Sequence, residues 1–557
     1  MTDILSGMVQ VFKLAAKLLL WLLKHLWTGT KFTARKIFTR KSRTFGTAHW
    51  ATRRDLRKAG ALGGDGLIVG KAGRKFLRYN DPEGTALVFA PQGAGKGVGI
   101  VIPNLLDYKG SILVTDPKGE NFAITAGHRR TMGPVWCLNL AQPEASNAFN
   151  PLDTIRTGTT HETDDAEILA DLMLVHEPHT SPHWREMATN WLAGFILYVV
   201  HKHKDTPELR TLTEVRAITN QPPDAFQSTL EEMSLMGKAK IHETANEILR
   251  SGDSDEARSI LTNMGKATKI FAADKPPALI TGQSDFSLES INDQTTTVYL
   301  VVPEEKLTIY APLLRVMVGL TINALLRAGR ERSTPEHPTL LLLDEAAALG
   351  YMGPLEQGMG YLRAYARSLL IFQDLHQLRQ TYPKAGSIIS NSKCQVAFGV
   401  NDFETAEALS KRIGQETIKS RSEGQSQASD ALLKHQQQAG ESETARWLID
   451  PSEILRLPAD EMLVFMGKQV KAPIRAKAFR YYKERYFRGL FDSWRDAPTP
   501  DLQAKVEFSG GHAPDAGLAS SPSAVDTANQ NPDNGLPSGS DRIPSAPKPD
   551  QHPPVTG

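Results

Sequence analysis

Five short apolar runs punctuate the chain: Ala86–Ala90, Ser111–Thr115, Thr296–Val302, Thr339–Leu343 and Leu369–Phe372. None alternates apolar with polar residues. Short continuous runs of this kind read as strands buried on both faces of a parallel sheet. Between about Asp164 and Phe271 the period changes. AEILADLMLV and HWREMATNWLAGFILYVV repeat their apolar residues at helical spacing, and so do Phe226–Met236 and Ile241–Leu249. No alternating strand interrupts this stretch. The pattern predicts an α/β sheet protein with an all-α domain inserted into it, in which Trp184 and Trp191 are packing residues.

Three other segments follow neither rule. Met8–Trp27 is the most apolar stretch, and its length meets the roughly 20 residues a bilayer span needs. It also carries Lys13, Lys17 and Lys24. At about 100° per residue these fall with Lys31 on one face, opposite a broad Leu/Trp face. That is the signature of a helix lying in a membrane interface; packing on a protein partner is the other reading. The lysines fit poorly with a cleaved signal peptide. From Ala497 to Gly557 there are eleven prolines and one aromatic, Phe508, so this segment reads as a disordered tail. The polar run from about Gln415 to Glu443 reads as a mobile internal loop.

Composition changes the picture in two places. The 557 residues allow roughly two to four domains, and 40% apolar content is enough for a globular core. The net charge of +2 argues against a uniformly basic DNA-coating protein. That average conceals a basic block: Lys31 to Arg78 holds fourteen Lys/Arg against Asp55 and Asp65, leaving fifty against sixty elsewhere. Such a block suits anionic lipid or a nucleic-acid backbone, or is a solvated basic face. With only Cys137 and Cys394, a disulfide scaffold and a Cys-rich zinc module are excluded, and both thiols read as buried structural residues.

The candidate chemistry lies at the ends of the apolar runs. After Ala86–Ala90 comes Gln92-Gly93-Ala94-Gly95-Lys96-Gly97, then Val98–Leu106, an apolar stretch that begins a helix. Strand, Gly-rich turn with Lys, and helix form a phosphate-binding loop: small residues let backbone N–H groups close on phosphate oxygens, and Lys96 supplies a point charge. Two positions depart from G-x-x-x-x-G-K-[ST]. Ala90 replaces the first glycine, and Gly97 replaces the hydroxyl residue, so a magnesium ion must lean on another ligand or on water.

Asp344 and Glu345 end the run Thr339–Leu343 in the Walker-B pattern. Asp344 is the candidate Mg²⁺ holder and Glu345 the group that orients and deprotonates water. Gln373 ends the run Leu369–Phe372 and is placed to sense the γ-phosphate. Arg363 and Arg367 precede that run, and either is a candidate arginine finger for a neighbouring subunit. The run Ser111–Thr115 ends in Asp116-Pro117-Lys118-Gly119-Glu120. Lys118 and Glu120 either contact nucleotide or form a simple turn.

Together these pieces resemble the TraG-type coupling ATPases of conjugation and type IV secretion. The resemblance rests on APQGAGKGVGIVIPNLL at Ala90–Leu106, GSILVTDPKGENFAITAGHRR at Gly110–Arg130 and FNPLD at Phe149–Asp153. It continues through LLLLDEAAALG at Leu340–Gly350 and LLIFQDLHQL at Leu369–Leu378. FGTAHWAT at Phe45–Thr52 and the segment Arg456–Phe487 resemble the family's opening and closing segments. Gly97 after the lysine is at home in this family.

The resemblance implies a RecA-like P-loop NTPase that uses ATP and Mg²⁺ and works as a hexamer with sequence-nonspecific DNA in its channel. It implies a DNA translocase that passes DNA or protein–DNA complexes to a type IV secretion channel at the bacterial inner membrane. Relaxase or effector substrates, the channel's ATPases and inner-membrane components, and the membrane surface are its implied partners. By position Lys96, Asp344, Glu345, Gln373 and Arg363 match the Walker lysine, the Walker-B acids, the γ-phosphate glutamine and the trans arginine. Nucleotide binding falls to Gln92, Gly93, Ala94, Gly95, Lys96, Gly97 and Val98.

The expected organisation begins with a membrane-proximal segment at 1–43. The RecA-like NTPase domain follows in two stretches, 44–155 with the phosphate loop and 286–496 with the Walker-B acids. The all-α domain is inserted between them at 156–285, and a tail occupies 497–557. The family usually has a pair of N-terminal membrane helices; here one lysine-striped segment precedes the motor. Two other functions fit the same residues. One is a nucleotide-bound receptor presenting effectors without pumping DNA; the other is a chromosome-type DNA pump.

Overall fold

A computed structural model describes residue 17 and residues 44–81, 84–174, 182–331, 335–424 and 438–493. The expected membrane-proximal helix, apart from Lys17, and the expected tail lie outside the described residues.

Thirteen strands form among the described residues: β1 Leu67–Ala72, β2 Lys75–Tyr79, β3 Thr85–Phe89, β4 Ile112–Asp116, β5 Val135–Asn139, β6 Thr297–Val301, β7 Thr339–Leu343, β8 Ala366–Phe372, β9 Cys394–Ala397, β10 Gln415–Gly424, β11 Gln438–Trp447, β12 Glu461–Phe465 and β13 Ile474–Lys477. Eleven of them make one mixed sheet in the order β2-β1-β13-β12-β9-β3-β8-β7-β4-β6-β5. The seven strands from β9 to β5 are mutually parallel, and the four beyond β9 are antiparallel. The apolar runs are thus the central strands, all buried along their length in β3, β4, β6, β7 and β8.

Strand alternation sends these runs into two cores. Leu87, Phe89, Leu341, Leu343, Leu370 and Phe372 join a core on one face, while Ala86, Val88, Leu340, Leu342, Leu369 and Ile371 join a core on the other. The second face is covered by the helix that follows the phosphate loop and by helix Glu120–Arg130. The first face is covered by helix Leu307–Glu331 and by the helices between β5 and β6. Helix Leu307–Glu331 with the turn before it is long enough to cross a membrane, and its most apolar 18-residue window has a mean hydropathy of 1.7. Yet 83% of that apolar window is buried inside the fold, so here it packs as a core helix.

The described residues from 156 to 285 contain helices and turns and no strand. The main helices are Glu162–Met173, Pro182–Lys202, Leu212–Thr219, Pro223–Leu235, Ala239–Ser251 and Asp255–Thr268. Acidic residues occupy the first turn of Glu162–Met173, and Thr211 and Ser254 cap the helices that follow them. Trp191 is fully buried, and its indole N–H donates to Glu247 at 3.1 Å, a packing role as expected. The apolar residues of these helices belong to the same core as Leu87 and Phe89, so this segment rests directly on the sheet.

Two expectations need correction. The described ends of the polar run at 415–443 are paired strands rather than loop: β10 pairs antiparallel with β11 from Gln415↔Trp447 to Gly424↔Gln438, and residues 425–437 lie outside the described residues. Backbone pairing stabilises these strands without an apolar face, which is why periodicity missed them. Arg367 does not precede a strand but lies inside β8, 6% exposed, with its guanidinium 5.9 Å from the centre of the Tyr108 ring. Both cysteines are buried and unpaired with each other, as the composition implied.

Candidate active site

The carboxyl ends of β3, β7, β8 and β4 lie along one edge of the sheet, where crevices form in open α/β sheets. β3 delivers the glycine-rich loop. Gly93 and Gly95 take positive φ values of 78° and 89°, open to glycine and strained for other residues. A Cβ built on Gly93 or Gly97 would meet no atom within 4 Å, so the loop's outer side faces open space. Its other side packs on β9's end, where a Cβ on Gly399 would stand 2.9 Å from the Ala94 methyl. The loop then enters a helix that opens with a π-type turn over Gly97–Val101 and continues to Asp107.

β7 delivers the acids. Lys96 Nζ lies 3.2 Å from Asp344 Oδ1 and is ion-paired with Glu345. Gln373, at the end of the neighbouring strand β8, donates from Nε2 to Glu345 Oε2 at 3.3 Å. Thr115, at the end of β4, donates its hydroxyl to the Asp344 carbonyl at 2.8 Å. Glu345 is the one non-glycine residue with positive φ among the described residues, at 58°. Strain of this kind persists only where the surroundings enforce it. Here a tight turn begins at once, with Ala348 N–H donating to the Glu345 carbonyl at 2.8 Å.

Electrostatics reinforce the grouping. Burial opposes the charge on Lys96, but Asp344 and Glu345 outweigh it and hold the ammonium above its ordinary pKa. Burial raises the Asp344 carboxyl, against the pull of Lys96. Asp116, 1% exposed at the end of β4, is pushed up to about 7 by burial, against hydrogen bonds that include the Phe122 N–H at 2.8 Å. Burial also raises Glu120.

The cleft enclosed by these groups has a volume of about 380 Å³ and is lined by Gln92, Gly93, Gly95, Lys96, Gly97, Val98, Asp116, Lys118, Glu120, Glu304, Asp344 and Glu345, among others. Lys118 reaches across to Glu304 at 3.3 Å. The structure thus brings together every expected site residue except two. Ala94 packs on the β9 side, and Arg363 sits exposed before the amino end of β8, at the opposite edge of the sheet. Sequence reasoning missed Asp116 and Glu304. Asp116 was legible only as a strand-end acid, and nothing in the sequence marked its burial.

The residues fit a divalent cation. Asp344 Oδ1 is buried, and its contact with Lys96 does not meet hydrogen-bond geometry, so an acceptor is left unspent beside the loop. Carboxylate oxygen is the donor type that Mg²⁺ prefers.

A glycine-rich loop with a lysine, two strand-end acids and a strand-end glutamine define a nucleotide-binding P-loop NTPase. A sequence model of the family described as "Type IV secretory system Conjugative DNA transfer" matches residues 43–509. The conjugal transfer protein TraG of Escherichia coli is 31% identical over 454 residues, covering 74% of this chain and 71% of its own. VirD4 of Rhizobium rhizogenes is 29% identical over 463 residues, covering 80% and 67%. Among solved structures, the conjugative coupling protein TrwB superposes with a TM-score of 0.59 at 17% identity, covering 79% of this chain and 94% of its own. A TrwB complex with the ATP analogue ADPNP gives 0.58 at 18%, and the complex with ADP and Mg²⁺ gives 0.59 at 17%. This chain belongs to the type IV secretory system conjugative DNA transfer family: it is a coupling protein of that machinery.

Proposed function

We propose that this coupling protein hydrolyses ATP with Mg²⁺ and uses the turnover to move DNA, or protein–DNA complexes, into a type IV secretion channel. The observation that carries the reading is the convergence of Lys96, Asp344, Glu345 and Gln373 at the carboxyl ends of three neighbouring strands. The TrwB complexes with ADPNP and with ADP and Mg²⁺ support the choice of nucleotide and metal.

In this reading Lys96 gives up its carboxylate partners for phosphate oxygens, and the loop's N–H groups hold the rest of the phosphate chain. Asp344 holds the metal, which when bound neutralises charge developing on the phosphates. Glu345, released from Lys96 and oriented by Gln373, takes the proton of the attacking water. Arg363 acts in a neighbouring subunit's site within a hexameric ring. Its exposure, that of Tyr361 nearby (74%), and the confinement of Arg367 to the sheet support that choice. β8 spans about 20 Å between Arg363's edge and its own Gln373, so service in its own site is disfavoured.

The helices of 156–285 serve as the inserted all-α domain that engages DNA or protein substrate. Contacts to DNA are mostly to phosphates and sequence-tolerant. The protein works on the cytoplasmic face of the bacterial inner membrane, with relaxase or effector substrates. The test is ATP hydrolysis by the full-length protein with and without single- and double-stranded DNA. Stimulation by DNA supports the motor. Hydrolysis indifferent to DNA favours a receptor that presents substrates without pumping, and no hydrolysis refutes the reading.

A further inference from the structure

Arg315 lies in the middle of the core helix Leu307–Glu331, 4% exposed, where a charged side chain is costly without partners. No carboxylate within ion-pair distance accompanies it among the described residues. Its partners are three backbone carbonyls: Nη1 donates to Leu349 O at 3.1 Å, Nε to Leu172 O at 3.3 Å and Nη2 to Leu174 O at 3.5 Å. Burial brings its pKa down to about 10, against the field of Asp171.

The three carbonyls come from two places. Leu172 and Leu174 end helix Glu162–Met173, where terminal carbonyls lack intrahelical donors and the dipole favours a cation. Leu349 closes the short turn Ala346–Leu349 that starts at Glu345, the residue with φ of 58°. The helix end is pressed close: a Cβ on Gly319 would stand 2.3 Å from Leu172 Cδ2. The other end of that helix is also fixed to the core helix, through Asp165 and Arg327 at 3.0 Å. Of these two clamps, Arg315 alone also grips the turn that carries Glu345.

We propose that Arg315 is a positioning residue that sets the orientation of Glu345 by tying its turn to the end of helix Glu162–Met173. The inference rests on the ATP-hydrolysing reading given above. The guanidinium reaches the three carbonyls with three different nitrogens of a rigid fork, whereas a lysine ammonium presents its donors from a single point. Movement of the helix end therefore changes the Leu349 contact, and with it the backbone that aims the Glu345 carboxylate. The helical segment thereby gains a line to the hydrolytic residue that does not pass through the phosphate loop.

The test uses full-length Arg315→Met and Arg315→Lys proteins, with hydrogen exchange, thermal midpoints and steady-state ATP hydrolysis. In Arg315→Met, exchange of the Ala348 and Gly350 amides is expected to accelerate selectively. Its kcat is expected to fall by roughly tenfold or more, with KM for ATP within about twofold of wild type. Arg315→Lys, which keeps the charge and one bond, is expected to recover some of the rate. Uniform acceleration of exchange with kcat and KM changing together means mere destabilisation and overturns the proposal. So does a kcat within about twofold of wild type with unchanged exchange at the turn. If the wild-type protein does not hydrolyse ATP while exchange still accelerates selectively, the proposed function fails and the structural link stands.

Discussion

In the proposed reading Lys96 and Glu345 carry different shares of the same chemistry, and their substitutions separate them. Lys96→Ala removes the charge that both organises the acids and meets phosphate, so nucleotide affinity and turnover are both expected to fall. Glu345→Gln keeps the hydrogen bond to Gln373 but loses the base. Its turnover is expected to drop by about 10²- to 10⁴-fold while nucleotide affinity stays within a few-fold, measured by steady-state kinetics and by titration with a fluorescent ATP analogue. Equal losses of affinity in both variants would contradict these roles. The sequence announced these two residues because each ends or follows an uninterrupted apolar run. It did not announce Arg315, a single charge within a long apolar helix, because its partners are backbone carbonyls from two distant segments. Nor did it place Arg367, whose charge ended the apolar run although the strand extends to Ala366.

Among the elements, helix Glu162–Met173 joins the helical segment to the sheet. Asp165, 2% exposed, accepts from Arg156 Nε at 2.8 Å and Nη2 at 2.7 Å, and pairs with Arg327 at 3.0 Å. Burial raises its pKa, but the hydrogen bonds and charges of the two arginines prevail and hold it below the ordinary carboxylate value. A depressed pKa stabilises the fold above the unfolded value of about 4, and this contribution is lost as pH falls through the folded value. Asp165→Asn is therefore expected to cost about 3 kcal/mol at neutral pH, because it removes a buried carboxylate from its pairs with Arg156 and with partly buried Arg327. The deficit should shrink below about pH 4, as denaturant titrations at both pH values would show. A deficit independent of pH would remove the electrostatic account. The β10–β11 ribbon marks where reading by periodicity fails: strands with no apolar face leave no period to detect, and their pairing is carried by the backbone.

At the scale of the whole molecule, the segments of this coupling protein were unequally visible in the sequence. The parallel centre of the sheet was legible, because strands buried on both faces must be apolar throughout. The four antiparallel strands beyond β9 were less so; β13 alternates buried and exposed residues and carries charge. Assembly is tested by mixing defective subunits. Arg363→Ala is expected to bind nucleotide normally and lose about 10³-fold or more of its turnover. Mixing it with Lys96→Ala should restore some of the rate, since an intact phosphate loop then meets an intact arginine from its neighbour. No recovery in mixed assemblies would place Arg363 outside the site. Deleting residues 1–43, which precede most of the family match, is expected to abolish flotation with liposomes; unchanged flotation would remove the membrane-surface role of that segment.

The central claim is that nucleotide turnover at Lys96 and Glu345 drives DNA transfer. The most direct measurement is transfer frequency between mating cells whose coupling protein is wild type, Lys96→Ala or Glu345→Gln, at matched protein levels. The account predicts that transfer falls to background in both variants. Transfer at wild-type frequency with either would contradict it.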